Sequence, residues 1–196
     1  MIKRLFDFFF SGLGLLFLVP FFMILSLLIV LDSKGGIFYK QIRVGKNGVD
    51  FYLYKFRSMK TESDKLGLLT VGGKDPRITK VGYYIRKYKI DELSQLINVF
   101  IGDMSLVGPR PEVRKYVELY SFEQLKVLTV KPGITDNASI LYFNENELLG
   151  ESSNPEETYI KEIMQEKLKL NLNYIKGYSV FSDVKIIIKT LKKIVS

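Results

Sequence analysis

The chain has neither cysteine nor histidine, and no tryptophan. Lacking cysteine, it has no disulfide, thiolate nucleophile, Cys-ligated zinc or iron–sulfur cluster. Lacking histidine, it has no Ser-His-Asp triad, no HExxH metalloprotease site and no conventional proton shuttle at neutral pH. Chemistry would fall to carboxylates, Lys, Arg, Tyr and a hard metal ion, and an all-oxygen donor set selects Mg²⁺ or Mn²⁺ over zinc. Acids are also in the minority. With 21 Asp+Glu against 29 Lys+Arg the net charge is +8, which points to anionic partners. The 196 residues suffice for one domain with a buried core and one appendage.

Charge is absent altogether from Phe8 to Leu31, a 24-residue run (FFFSGLGLLFLVPFFMILSLLIVL). As helix it extends roughly 36 Å, enough for a hydrocarbon core of ~30 Å. It is too uniformly apolar for a core helix, and too long for a cleavable signal, with no small-residue cleavage site after it. The expectation is a segment that stays attached and sits in a membrane. Lys3 and Arg4 precede it, and Lys34, Lys40, Arg43 and Lys46 follow it, so the positive-inside rule selects no orientation. Pro20 removes a backbone donor in its middle. Two paths stay open: a bent hairpin that enters and leaves by one face, and a kinked span.

Beyond Leu31 the chain reads as one domain without repeats. Ile37–Val44 and Phe51–Arg57 are β-rich around Gly45-Lys46-Asn47-Gly48, a hairpin signal. Lys60–Pro76 reads as a loop. Helices are expected over Thr79–Tyr88 and over Asp91–Ile101 with Gly102 as C-cap. Further helices are expected over Glu112–Tyr120 and over Ser121–Val127, where Ser121 and Gln124 form a capping box. Asn154-Pro155-Glu156-Glu157 opens a helix that reaches Lys176. The last helix, Ser182–Val195, places Val184, Ile187, Ile188, Leu191 and Ile194 on one face and four lysines on the rest. That is either a core-facing helix or one lying on anionic headgroups.

Candidate chemistry clusters between Arg77 and Pro111. The adjacent carboxylates Asp91 and Glu92 open a helix, where they read as an ordinary N-cap and first-turn acid. A helix N-terminus also attracts phosphate, and an ionised carboxylate there can ligate Mg²⁺ and attack phosphorus while its neighbour steadies the geometry. Lys55, Arg57, Arg77, Arg86 and Arg110 supply cationic density nearby. Arg110 stands out because Pro109 and Pro111 fix the backbone on both sides of it, and Arg forks suit phosphate.

At this point the residues resemble a family, the bacterial sugar transferases that are monotopic phosphoglycosyl transferases. The matching text is Lys3-Arg4-Leu5-Phe6-Asp7, Gln41-Ile42-Arg43-Val44-Gly45, Tyr54-Lys55-Phe56-Arg57-Ser58-Met59 and Asp75-Pro76-Arg77-Ile78-Thr79. Asp91-Glu92-Leu93-x-Gln95-Leu96-x-Asn98 then leads into Gly102-Asp103-Met104-Ser105-Leu106-Val107-Gly108-Pro109-Arg110-Pro111-Glu112. Lys131-Pro132-Gly133-Ile134-Thr135 and Phe181-x-Asp183 follow. The likeness runs in order over nearly the whole chain.

The resemblance implies a transferase at the cytoplasmic face of the bacterial inner membrane. It would move a sugar 1-phosphate from a UDP-sugar to polyprenol (undecaprenyl) phosphate and release UMP, as the first membrane step of glycan assembly. Asp91 is then the nucleophile, forming a phosphosugar–aspartyl intermediate and binding Mg²⁺ (or Mn²⁺), with Glu92 beside it. Lys55, Arg57, Arg77, Arg86, Pro109, Arg110 and Pro111 are the expected substrate-binding positions. The implied fold is a small α/β (α+β), mainly helical catalytic domain with a β-hairpin over 34–196. A re-entrant helix–break–helix over 1–33 and interfacial amphipathic helices complete it. Partners are the UDP-sugar, polyprenol phosphate and the membrane, with no nucleic acid and with self-association left open.

Three departures from the family's usual text stand out. Val19-Pro20 replaces the common Ser-Pro at the break. Asp136-Asn137-Ala138-Ser139 replaces Gly-Trp-Ala-Gln, so that Asp136–Leu149 bears on the sugar, favouring modified N-acetylated donors, or on packing. Lys89-Ile90 precedes the dyad and Ser94 stands where Pro is frequent, with no mechanistic expectation attached. The competing readings are a membrane-anchored basic module that binds anionic lipid or nucleic acid without catalysis, and a glycosyltransferase that releases UDP. The acids Asp91, Glu92, Asp103 and Glu112 among the cations argue against the first.

Overall fold

A computed structural model describes residues 1–61, 63 and 75–195. Most of the Lys60–Pro76 loop expectation lies outside the described residues. The element that organises the rest is α1 (Ile2–Asp32), one unbroken helix about 46 Å long at ~1.5 Å per residue. By length and composition it could cross a membrane. The expected helix–break–helix is not what the backbone shows: the helix continues through Pro20, which deletes a single backbone donor.

Both ends of α1 are held by the same body. At the first turn, Arg4 donates to the carbonyls of Val99 (2.5 Å) and Phe100 (2.8 Å), and buried Asp7 accepts from Leu106 N (3.0 Å) and Ser105 Oγ (3.1 Å). At the last turn, Leu25 and Ile29 are buried with Phe56 and Ile85. There Arg57 donates to the carbonyls of Ser33 (2.7 Å) and Lys34 (2.6 Å), closing the helix's carbonyl end. Asp32 accepts from Val81 N at 2.9 Å. Between these ends the outer face stays uncovered, with Leu16 and Phe17 at 70% and 74% exposure.

The hairpin forms as its turn signal requires: β1 (Phe38–Val44) pairs antiparallel with β2 (Asp50–Phe56), with Ile42 opposite Tyr52. Asn47 and Gly48 take positive φ in the turn. The outer edge of β2 is met by a side chain instead of a strand. Asn98 accepts from Tyr54 N (3.0 Å) and donates to Tyr52 O (2.7 Å), docking α3 (Gln95–Ile101) onto the hairpin. Helix α2 (Lys80–Lys87) starts at Thr79, whose hydroxyl accepts from Gly82 N. Gly102 ends α3 at φ 105°, as expected.

A second sheet was not legible in the sequence. β3 (Ser105–Val107) and β4 (Gly133–Thr135) pair in parallel over three residues each. Immediately beyond β3 the backbones nearly touch: a Cβ on Gly133 would lie 2.0 Å from Gly108 N, so only glycine fits.

The remaining chain is helical: α4 (Arg114–Val117), α5 (Asn137–Leu141), α6 (Glu145–Glu151), α7 (Pro155–Thr158), α8 (Met164–Ile175) and α9 (Val180–Val195). The Ser121–Gln124 capping box is present, although the turns after it are 3₁₀. Asn154 caps α7, which runs through a π-helical turn into α8. On α9 the buried positions are Asp183 and Ile186, while Val184, Ile188 and Leu191 are exposed. The apolar face read from the sequence points outward, as an interfacial helix's does.

Arg57 therefore has a structural task. Arg57→Ala should lower stability by about 2–4 kcal/mol, because several charge-assisted bonds to buried carbonyls are lost together. Thermal unfolding in detergent, with trypsin sensitivity around Lys34 as a second readout, checks it.

Candidate active site

A cleft of about 510 Å³ opens between β2, the segment before α3, the Gly108–Glu112 loop and the α5–α6 turn. The carboxylate pair sits at its base, but not as a helix cap. Ile90–Ser94 is a 3₁₀ turn, α3 begins only at Gln95, and the turn is entered through Lys89 in the left-handed conformation. Among the described residues no backbone N–H reaches the Asp91 carboxylate, so the expected capping arrangement is corrected. What orders the turn is Ser94, whose hydroxyl donates to Asp91 O and Tyr54 O, both at 3.0 Å.

The two acids have different surroundings. Glu92 takes a two-pronged contact from the Arg110 guanidinium (Nη1–Oε2 3.0 Å, with Nη2 on Oε1) and lies 3.3 Å from Lys55 Nζ. Burial alone would raise its pKa, but Arg110 and Lys55 outweigh it and hold the carboxyl well below the usual range. Asp91 is buried, its side chain takes no hydrogen bond among the described residues, and Lys55 Nζ lies 3.7 Å away. Burial pushes its pKa up; Lys55 opposes this and the charge of Glu92 adds to it. Proton affinity thus concentrates on Asp91, the acid with free oxygen lone pairs.

Arg110 is aimed by its backbone. Gly108 N donates to Thr135 O (3.1 Å), Gly133 N to Pro109 O (3.0 Å) and Arg110 N to Asp136 Oδ2 (3.2 Å). Pro109 and Pro111 are buried and stiffen this loop; they do not line the cleft. Fully buried Asp136 also caps α5 by accepting from Ser139 N (2.5 Å), so one carboxylate joins the arginine loop to the helix beside it. Glu112 anchors the loop's far end through Arg43 (2.8 Å) and the Tyr159 hydroxyl. Sequence reasoning did not single out Asp136 as a positioning residue; its one signal was an acid where the family has glycine.

The other expected cations divide. Arg86 lines the cleft and meets no carboxylate among the described residues, whereas Arg77 is gripped by Asp75 (Nη2–Oδ2 2.6 Å). That hydrogen bond lowers the pKa of Asp75. Arg57 borders the cleft, but its donors go to the end of α1. Lys89 lines the cleft too and was not among the expected residues. Tyr142, Phe143 and Asn146, in the segment the sequence linked to sugar recognition, form its opposite wall.

Among the described residues no three acids converge into a preformed metal cage. Mg²⁺ often keeps its waters and binds through one carboxylate plus substrate phosphates. Asp91, buried in the cleft with no hydrogen bond to its side chain, fits that donor set.

The family model for bacterial sugar transferases matches residues 1–196, and the chain belongs to that family. It is 38% identical over 194 residues to an "Uncharacterized sugar transferase EpsL" of Bacillus subtilis, covering 98% of this chain and 87% of that one. It is 36% identical over 198 residues to the "UDP-N-acetylgalactosamine-undecaprenyl-phosphate N-acetylgalactosaminephosphotransferase" of Aeromonas hydrophila, covering 100% of this chain and 44% of that one. A "UDP-glucose:undecaprenyl-phosphate glucose-1-phosphate transferase" of Escherichia coli is 36% identical over 201 residues, covering 98% of this chain and 40% of that one. The chain thus spans less than half the length of the last two.

The Glu92–Arg110 pair has a pH signature. A carboxyl whose folded pKa is depressed contributes stability that is complete above its unfolded value, about 4.5, and is lost as pH falls through the folded value. The stability gap between wild type and Arg110→Ala should therefore be full above pH ~5 and narrow as pH drops below ~4. Thermal melts across that range check it; a gap independent of pH would refute the pairing.

Proposed function

We propose that the chain is a phosphoglycosyl transferase that moves a sugar 1-phosphate from a UDP-sugar to polyprenol phosphate and releases UMP. The observation that carries this is the asymmetric dyad: a buried carboxylate whose side chain takes no hydrogen bond among the described residues, beside one locked by arginine, in a cationic cleft. The names of the Aeromonas and Escherichia relatives support the substrate classes.

Asp91 attacks the sugar-bearing phosphorus of the diphosphate, forming a phosphosugar–aspartyl bond as the P–O bond to UMP breaks. A phosphate oxygen of the polyprenol phosphate then attacks the same phosphorus and frees Asp91. An acid whose pKa is raised by burial is the better nucleophile of the two, provided that it is ionised. Glu92, held unprotonated by Arg110, is unsuited to donate a proton; it fixes Arg110 and Lys55 against the incoming phosphates. Arg86 adds a cation not yet paired. Mg²⁺ (or Mn²⁺), held by Asp91 together with substrate phosphates, would neutralise charge on the diphosphate. No histidine is required, because the leaving group is a phosphate.

The uncovered face of α1 supplies the membrane contact. Its two ends are bound to one body, so both belong on the same side of the bilayer, the cytoplasmic face of the inner membrane in this reading, with the unbroken helix lying in that leaflet between them. The exposed apolar positions of α9 lie at the headgroups.

Three measurements test this reading. UMP release should require both a divalent cation and polyprenol phosphate for sustained turnover, with UDP-N-acetylated hexoses the first donors to try; release of UDP would refute it. With sugar-labelled donor and no acceptor, label should attach covalently to wild type and not to Asp91→Asn. Glu92→Gln should keep labelling, slowed about 10²–10⁴-fold, as expected for loss of an orienting group. Label mapped to Glu92 would overturn the roles. For topology, single cysteines at positions 2 and 34 of this cysteine-free chain should both react only from the cytoplasmic side; periplasmic labelling at position 2 would rule out the same-side placement.

A further inference from the structure

The cations around the cleft differ in what already holds them. Lys55 and Arg110 are paired with the dyad, Arg57 with the carbonyls ending α1, Arg77 with Asp75, and Lys167 with Glu145. Lys89 has no such partner. Among the described residues its ammonium meets no carboxylate and no carbonyl; it lies over the Phe143 ring, 5.1 Å from the centroid. It is half-buried, two residues before Asp91, and feels the charges of Glu92, Arg110, Asp91 and Lys55.

Its backbone is also out of the ordinary. Lys89 sits at φ 54°, ψ 25°, a left-handed conformation that disfavours any residue with a Cβ. Its own N–H and C=O are satisfied, by Arg86 O (3.1 Å) and Glu92 N (3.3 Å), so nothing in the turn's hydrogen bonding calls for lysine there. Glycine would make the same turn without strain. A strained position that nonetheless carries a cation, partly stripped of water and lacking a counter-ion, is a site waiting for an anion. The aromatic face offsets part of the desolvation until one arrives.

We propose that Lys89 is a further phosphate-binding residue, its ammonium taken up by a phosphoryl group of the UDP-sugar or of the polyprenol phosphate, and parked on Phe143 in their absence. This rests on the transferase reading above.

The test uses the full chain in detergent as wild type, Lys89→Ala, Lys89→Gly and Lys89→Arg, with the exposed Lys87→Ala as control. A donor arm measures UDP binding by calorimetry and KM for UDP-N-acetylgalactosamine. An acceptor arm measures KM for undecaprenyl phosphate. Lys89→Ala and Lys89→Gly should lose about ten-fold or more in kcat/KM, through KM in the arm whose substrate Lys89 holds, and Lys89→Arg should recover most of it. Lys89→Gly should at the same time melt at or above wild type, because the turn is relieved. Variants within about two-fold of wild type in both arms would overturn the assignment, as would Lys89→Gly melting below wild type. A wild type that binds no UDP and releases no UMP would instead overturn the transferase reading, and this assignment with it.

Discussion

The geometry of the cleft depends on one close approach between two stretches of bare backbone. Gly108 and Gly133 come together where no Cβ can be accommodated, and that contact lets a parallel ladder of only three residues per strand hold its register. Everything that aims Arg110 follows from it: the exchange of hydrogen bonds with Thr135 and Pro109, and the reach of Asp136 to the arginine's own N–H. The same strand, β3, receives Asp7 from α1, and the Val107 carbonyl accepts from Lys3 (3.0 Å) and from the Tyr174 hydroxyl (3.3 Å). Buried Asp183 completes this junction by binding both Lys3 and Tyr174. The apolar helix α1, the arginine loop and α9 therefore meet on a few residues of backbone.

That rigidity lets two neighbouring carboxylates behave differently. In a site of low dielectric, small differences in partner count become large differences in protonation. Glu92 collects the arginine fork and most of the lysine's attention, and Asp91 is left with a longer contact. Burial weighs on both, but only one is compensated. Two identical functional groups one residue apart thus carry different partners, which is the asymmetry on which the proposed division of roles rests.

The sequence disclosed those features whose causes are local. The hairpin turn at Gly45–Gly48, the Ser121–Gln124 box, the Asn154 cap and the Gly102 stop depend on residues within a few positions of one another. What it hid was tertiary. A three-residue strand has too little periodicity to stand out, and Arg57 read as a phosphate ligand because the carbonyls it closes lie more than twenty residues away. The dyad's location was legible but its backbone was not: a 3₁₀ turn entered by a left-handed lysine has no local signature when the residue is not glycine. On α9 the apolar stripe was read correctly while its direction stayed open, since periodicity identifies a face and not what it faces.

The double attachment of α1 has a mechanical consequence. A free apolar helix answers a thicker or thinner bilayer by changing its tilt. A helix clamped at Arg4–Asp7 and again at Asp32–Arg57 has no independent tilt to change. In the membrane placement proposed above, the lipid must adapt instead, around the uncovered face of the helix. On that placement, hydrophobic mismatch becomes a distortion of the leaflet around α1 in place of a movement of the helix.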